Sequence, residues 1–153
     1  MKLTSSSPIT YGLIMTVLTA GCLLIMEVTG QNESFDMKNP IQWVYQIVTP
    51  FLVWFLGIKA LRTAQKNKLT FKQGLMQGVW ISLTYALTSP FLFALYYLLI
   101  NPEILGFVRE TYGAAQASIA LLIGIDMLVQ FVFAMIFGII YAAIASFFLK
   151  TKK

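Results

Sequence analysis

Asp126-MLVQFVFAMIFGIIYAAIASFF-Leu149 carries no charge between its first residue and Lys150, which follows it. A helix needs about 20 mainly apolar residues to cross a hydrocarbon layer about 30 Å thick. In lipid no water satisfies a free backbone group, so a crossing segment is a helix or part of a closed barrel. The run lacks the two-residue alternation of a barrel strand. It predicts a membrane-spanning helix.

Three further stretches meet the same requirement, at about residues 9–28, 41–61 and 74–100. The expected fold is an all-α integral membrane protein with four transmembrane helices in a single domain, residues 1–153. Composition agrees. Hydrophobic residues make up 58% of the chain and charged residues 11%, against about 25% charged in an ordinary soluble domain. One core of this size could not hide so much apolar surface, and lipid is its natural solvent.

Charge orients the predicted spans. Lys2 precedes the first, Lys59, Arg62, Lys66, Lys68 and Lys72 lie between the second and third, and Lys150, Lys152 and Lys153 follow the fourth. These are nine of the eleven basic residues, with no acid among them. The opposite loops hold Glu33, Asp36, Lys38, Glu103, Arg109 and Glu110. Basic loops stay in the cytoplasm, so both termini are expected there. The net charge of +5 follows this topology and forms no free basic face, so no nucleic-acid partner is expected. The basic loop should instead rest on anionic headgroups.

Trp43, Tyr45, Tyr96, Tyr97 and Trp80 fall near span ends, where aromatic rings anchor helices at the membrane interface. Between spans three and four, Asn101-Pro102 breaks the helix, and Ile104, Leu105, Val108 and Tyr112 recur at helical spacing. This predicts a short amphipathic helix on the outer surface. The competing reading is a longer, tilted fourth span starting near Ser118. At the start of the chain, Lys2 and the apolar run have the outline of a signal peptide, and Thr19-Ala20-Gly21-Cys22 echoes a lipoprotein cleavage site. Thr19 stands where leucine is expected, and Leu23-Leu24-Ile25-Met26 continue apolar, so the first span is expected to be retained.

Helices in lipid associate through small residues four apart. Span three carries Gly74, Gly78, Ser82, Ala86, Pro90 and Ala94, span four Ala134, Gly138, Ala142 and Ser146, and span one Gly12, Thr16 and Ala20. Each row lies along one helix face. The rows are read either as contacts within the bundle or, for span three, as a dimerisation face. Pro50 and Pro90 should kink their helices.

Ionisable residues inside a membrane are functional candidates by default. Glu27 and Asp126 come near, both toward the outer boundary, and Gln130 and Gln46 hold similar depth. One reading makes Glu27, Asp126, Gln130 and Gln46 an outward-facing cation or proton site. The other leaves both carboxylates hydrated among headgroups. There is no histidine, Cys22 is the single cysteine, and no nucleophile–base pair, metal-spaced cluster or phosphate loop occurs. Neither an enzyme nor a cofactor is expected.

Several stretches resemble the bacterial four-span family catalogued as domain of unknown function 4199. They are Tyr11-Gly12-Leu13-Ile14, Leu56-Gly57-Ile58-Lys59, Leu69-Thr70-Phe71-Lys72-Gln73-Gly74, Asn101-Pro102-Glu103 and Phe148-Leu149-Lys150. The resemblance covers the chain from about Thr10 onward. It implies a bacterial inner membrane and a four-helix bundle, and it brings no catalytic residues. The leading expectation is a non-enzymatic accessory or structural subunit, partnered by the lipid bilayer and by itself or another membrane protein. The alternative is a small oligomeric transporter or ion-conducting subunit using the outer carboxylates.

Overall fold

The computed structural model describes residues 7–30, 44–113 and 116–151, apart from the Gln46 side chain. Lys2, Glu33, Asp36, Lys38, Gln42, Trp43, Lys152 and Lys153 lie outside the described residues. Among the described residues every regular element is helical. These elements are α1 (Pro8–Val28), a π-helical turn (Val44–Val48), α2 (Thr49–Ala64), α3 (Phe71–Leu99), α4 (Ile104–Thr111) and α5 (Ile119–Leu149).

Local chemistry sets the ends. Ser7 is extended and Pro8 occupies the first turn of α1, where its missing N–H costs nothing. α3 opens on a capping box in which the Gln73 amide N–H bonds Thr70 Oγ1 at 3.3 Å and the Thr70 N–H bonds Gln73 Oε1 at 2.9 Å. Ser118 caps α5 by accepting the Leu121 N–H at 3.3 Å. Pro50 acts differently from the simple kink the sequence predicts. The chain winds as a π turn up to Val48 and tightens to α where Pro50 enters the first turn of α2. Thr49 Oγ1 bonds the Val44 carbonyl at 3.0 Å across that change of winding. Pro90 lies within α3, which continues past it to Leu99.

α1, α3 and α5 are long and apolar enough to cross a membrane. At 31 residues, α5 measures about 46 Å, longer than the hydrocarbon layer, so its ends reach past it. The second expected span reads differently. Its α-helical part is the 16 residues of α2, extended toward the N-terminus by the π turn, and residues 41–43 lie outside the described chain. Before α5, both features weighed from the sequence occur together: the short helix α4, and a last helix that begins at Ile119.

α3 is the centre of the fold, packing most extensively on α5 and then on α1, while α2 packs on α5 and α3. The core joins Met15, Val53, Trp54, Ile58, Leu69, Ile81, Ala142, Ala145 and Leu149. Along α5 most of the large side chains turn outward instead. Leu128, Val132, Phe133, Ile136, Phe137, Ile140, Phe147 and Phe148 of α5 are all exposed. An apolar surface this continuous belongs against lipid or another protein. The chain is a multi-pass membrane protein.

The two ends of the bundle differ in charge. At one, the basic turn between α2 and α3 passes through left-handed Lys66 and Asn67 (φ 54° and 62°). Thr151, just past α5, ties that turn down: its hydroxyl donates to the Asn67 carbonyl and accepts the Leu69 N–H, both at 2.9 Å. The Thr151 N–H bonds the Leu69 carbonyl at 2.8 Å. The other end carries Glu27, Asp126 and α4.

Candidate functional site

Asp126 lies two turns into α5 and keeps only 5% of its surface exposed. Its carboxylate accepts a hydrogen bond from Tyr112 at 3.1 Å, and the Tyr97 hydroxyl lies beside it. Tyr97 also lies beside the Gln130 side chain, one turn further along α5. Three elements therefore converge on this acid: α3, the turn after α4, and α5 itself. Burial, and next the neighbouring carboxylate, push the Tyr112 phenol up to about 12.

Glu27, near the end of α1, belongs to a separate set. Its Oε2 accepts the Tyr96 hydroxyl at 2.5 Å and the Asn101 amide at 3.0 Å. Consecutive tyrosines of α3 thus serve different carboxylates, Tyr96 on α1 and Tyr97 on α5, because neighbouring helix positions point about 100° apart. The four residues grouped from the sequence divide accordingly. Asp126 and Gln130 are linked through Tyr97, Glu27 is bound by Tyr96 and Asn101, and Gln46 sits in the π turn with its side chain outside the described residues.

Between these sites and the basic end, hydroxyls pair across helices. Thr16 and Thr88 meet at 2.6 Å, and Thr19, fully buried, meets the Tyr85 hydroxyl at 3.2 Å. Trp54 Nε1 donates to Ser82 Oγ at 3.0 Å, and that hydroxyl donates to the Gly78 carbonyl at 2.8 Å. Each buried polar group so bonded avoids the cost of standing unsatisfied in an apolar medium.

The small-residue rows face one another. A Cβ on Gly74 would stand 2.7 Å from Ser146 Oγ, one on Gly78 would collide with the Ala142 side chain, and one on Gly138 would collide with Ser82. Ala86 is fully buried and Ala134 half-buried on the same two helices. On α1, a Cβ at Gly12 would meet Thr84 Cβ at 2.5 Å. α3 therefore uses its small residues inside this chain.

Sequence reasoning placed Tyr96 and Tyr97 as interface anchors, but they are buried, at 3% and 6% exposure. It read Asn101 as a helix breaker and Tyr112 as part of an amphipathic stripe. No spacing joins Tyr112 or Tyr97 to Asp126, since the contacts cross between elements. The one local signal was the adjacent tyrosine pair at a helix end.

A family described as protein of unknown function (DUF4199) matches the chain over residues 10–151. No curated protein and no solved structure matches it.

Proposed function

The chain belongs to this DUF4199 family of unknown function, and from that premise we propose that it is a non-enzymatic accessory or structural subunit of a bacterial inner membrane, acting through helix contacts with itself or another membrane protein. In this reading α2 and its π turn complete a fourth crossing, and both termini face the cytoplasm beside the basic loops. The observation that carries the proposal is the close packing between α2, α3 and α5. Gly78 meets Ala142, Gly138 meets Ser82, and the Trp54 ring closes the space between α2, α3 and α5. The surface offered to a partner is then the bulky apolar exterior, above all the Leu128–Phe148 face of α5 and the Leu13, Ile14 and Val17 face of α1.

A transporter or ion-conducting subunit is the second reading, favoured by one observation: Asp126 is buried and shared between α5, α3 and the turn after α4. Extraction from the native membrane in mild detergent separates the two, with the mass of the complex and its co-purifying proteins as the readout. A stoichiometric membrane partner supports the accessory role. A discrete homo-oligomer without partners fits self-contact in either reading, and proton or ion flux through the reconstituted oligomer then supports the conducting role. A monomer without partners overturns both.

A further inference from the structure

The Asp126 carboxyl group sits in a nearly closed site, 5% exposed. A carboxylate offers about four lone-pair positions. Tyr112 fills one, with Tyr97 beside it, and neither supplies charge. No lysine or arginine among the described residues pairs with it. An uncompensated buried anion is costly, and the cost falls when a cation with hydrogen-bond donors takes the remaining positions.

Arg109 of α4 carries the opposite charge on the element that leads into Tyr112. It precedes Tyr112 by three residues, which places the two side chains as neighbours, about 5–6 Å apart at Cβ. One guanidinium nitrogen, Nη2, reaches the Ala117 carbonyl at 3.4 Å, while the buried Nε has no acceptor. An anion-seeking donor and a cation-seeking acceptor thus flank Tyr112. Both sit at the acidic end of α5. Asp126 is 24 residues from Lys150 at the basic end, about 36 Å along the helix and hence at the depth of headgroups.

We propose that Asp126 and Arg109 form a binding site for a phosphoethanolamine group, with the primary ammonium on the Asp126 carboxylate and the phosphate on the Arg109 guanidinium. The ammonium takes carboxylate positions that Tyr112 leaves open. Tyr97, beside both Asp126 and Gln130, stays in place. A trimethylated ammonium has no N–H to give the carboxylate, so the site discriminates by hydrogen bonding as well as by charge. The group comes either from phosphatidylethanolamine in the surrounding leaflet or from a free phosphoethanolamine in solution. The proposal rests on the membrane-spanning reading of α3 and α5 but not on an accessory role. The co-purification experiment therefore fails or succeeds independently of it.

The test uses the full chain, purified in detergent and delipidated, with binding followed by native mass spectrometry. The probes are phosphatidylethanolamine, phosphatidylcholine, phosphatidylglycerol and free phosphoethanolamine. Wild type should bind phosphatidylethanolamine at least about ten-fold more tightly than the other two lipids, the difference made by charge-assisted hydrogen bonds. Asp126→Asn keeps the shape and an oxygen acceptor for both phenols but removes the charge, and should abolish that preference. Arg109→Gln, outside the spanning helices, should weaken phosphatidylethanolamine by about ten-fold while leaving the helices intact. Saturation by free phosphoethanolamine at the same concentration assigns the source to solution, and its failure beside tight lipid binding assigns it to the leaflet. Equal binding of all three lipids, or a preference unchanged in Asp126→Asn, overturns the proposal and leaves a neutral, structural Asp126.

Discussion

Gly78 of α3 rests on Ala142 of α5 so closely that a Cβ added at Gly78 would lie 3.0 Å from the Ala142 Cα. The obstacle is the Ala142 Cβ and the Cα that carries it, not the end of a flexible side chain, so it cannot turn aside. α3 and α5 approach each other at this point because neither carries bulk there. The same approach brings Trp54 Nε1 within reach of Ser82 one turn away.

Gly78→Leu should therefore force α3 and α5 apart, at a cost of about 1–3 kcal/mol or more for overpacking. Thermal unfolding of the purified protein in detergent is the measurement. Gly21, whose Cβ would meet nothing within 4 Å, is the control: Gly21→Ala should leave the midpoint unchanged or slightly raised. An unaltered midpoint in Gly78→Leu would show that the two helices do not depend on this contact.

Trp54 and Ser82 should be energetically coupled. A double-mutant cycle with Trp54→Phe and Ser82→Ala is expected to give about 0.6–1.7 kcal/mol, the range for hydrogen bonds between helices in membranes. Additive losses would mean that the indole contributes packing alone.

Tyr112 should titrate late. Its phenol lies above the usual tyrosine value, at about 12, because burial and then the Asp126 carboxylate oppose the phenolate. A group raised in the folded state contributes its stability fully below its unfolded value, about 10. That contribution is lost as pH climbs from there through the folded value. Ultraviolet difference titration of wild type against Tyr112→Phe should show the transition near pH 12. In Asp126→Asn it should move toward 10 without reaching it, since burial remains.

Thr151 should protect the basic turn. Its hydroxyl holds the Leu69 N–H and the Asn67 carbonyl, and Thr151→Ala removes both bonds at about 0.5–1.5 kcal/mol each. Hydrogen exchange at the Leu69 amide should accelerate in this variant while amides in the middle of α3 stay unchanged. Uniform acceleration would indicate global destabilisation instead of a local latch.

The positions of α1, α3 and α5 were legible because crossing lipid is a local requirement. Each segment must satisfy its own backbone within about 20 apolar residues, and that can be counted along the chain. Small residues four apart were legible too, since stacking on one helix face is a property of a single helix. Which row meets which was not, because a helix apolar on all sides carries no stripe to say how it is rotated. The α3–α5 contact at Gly78 and Gly138 sets that rotation. With it set, Tyr96 turns toward Glu27 and Tyr97 toward Asp126, so the grouping of Glu27 with Asp126 divides. Helicity and the places of these three long apolar helices were decided by the sequence itself. The partners of each buried acid were decided only when the helices docked, because side-chain hydrogen bonds depend on the rotation of one helix against another.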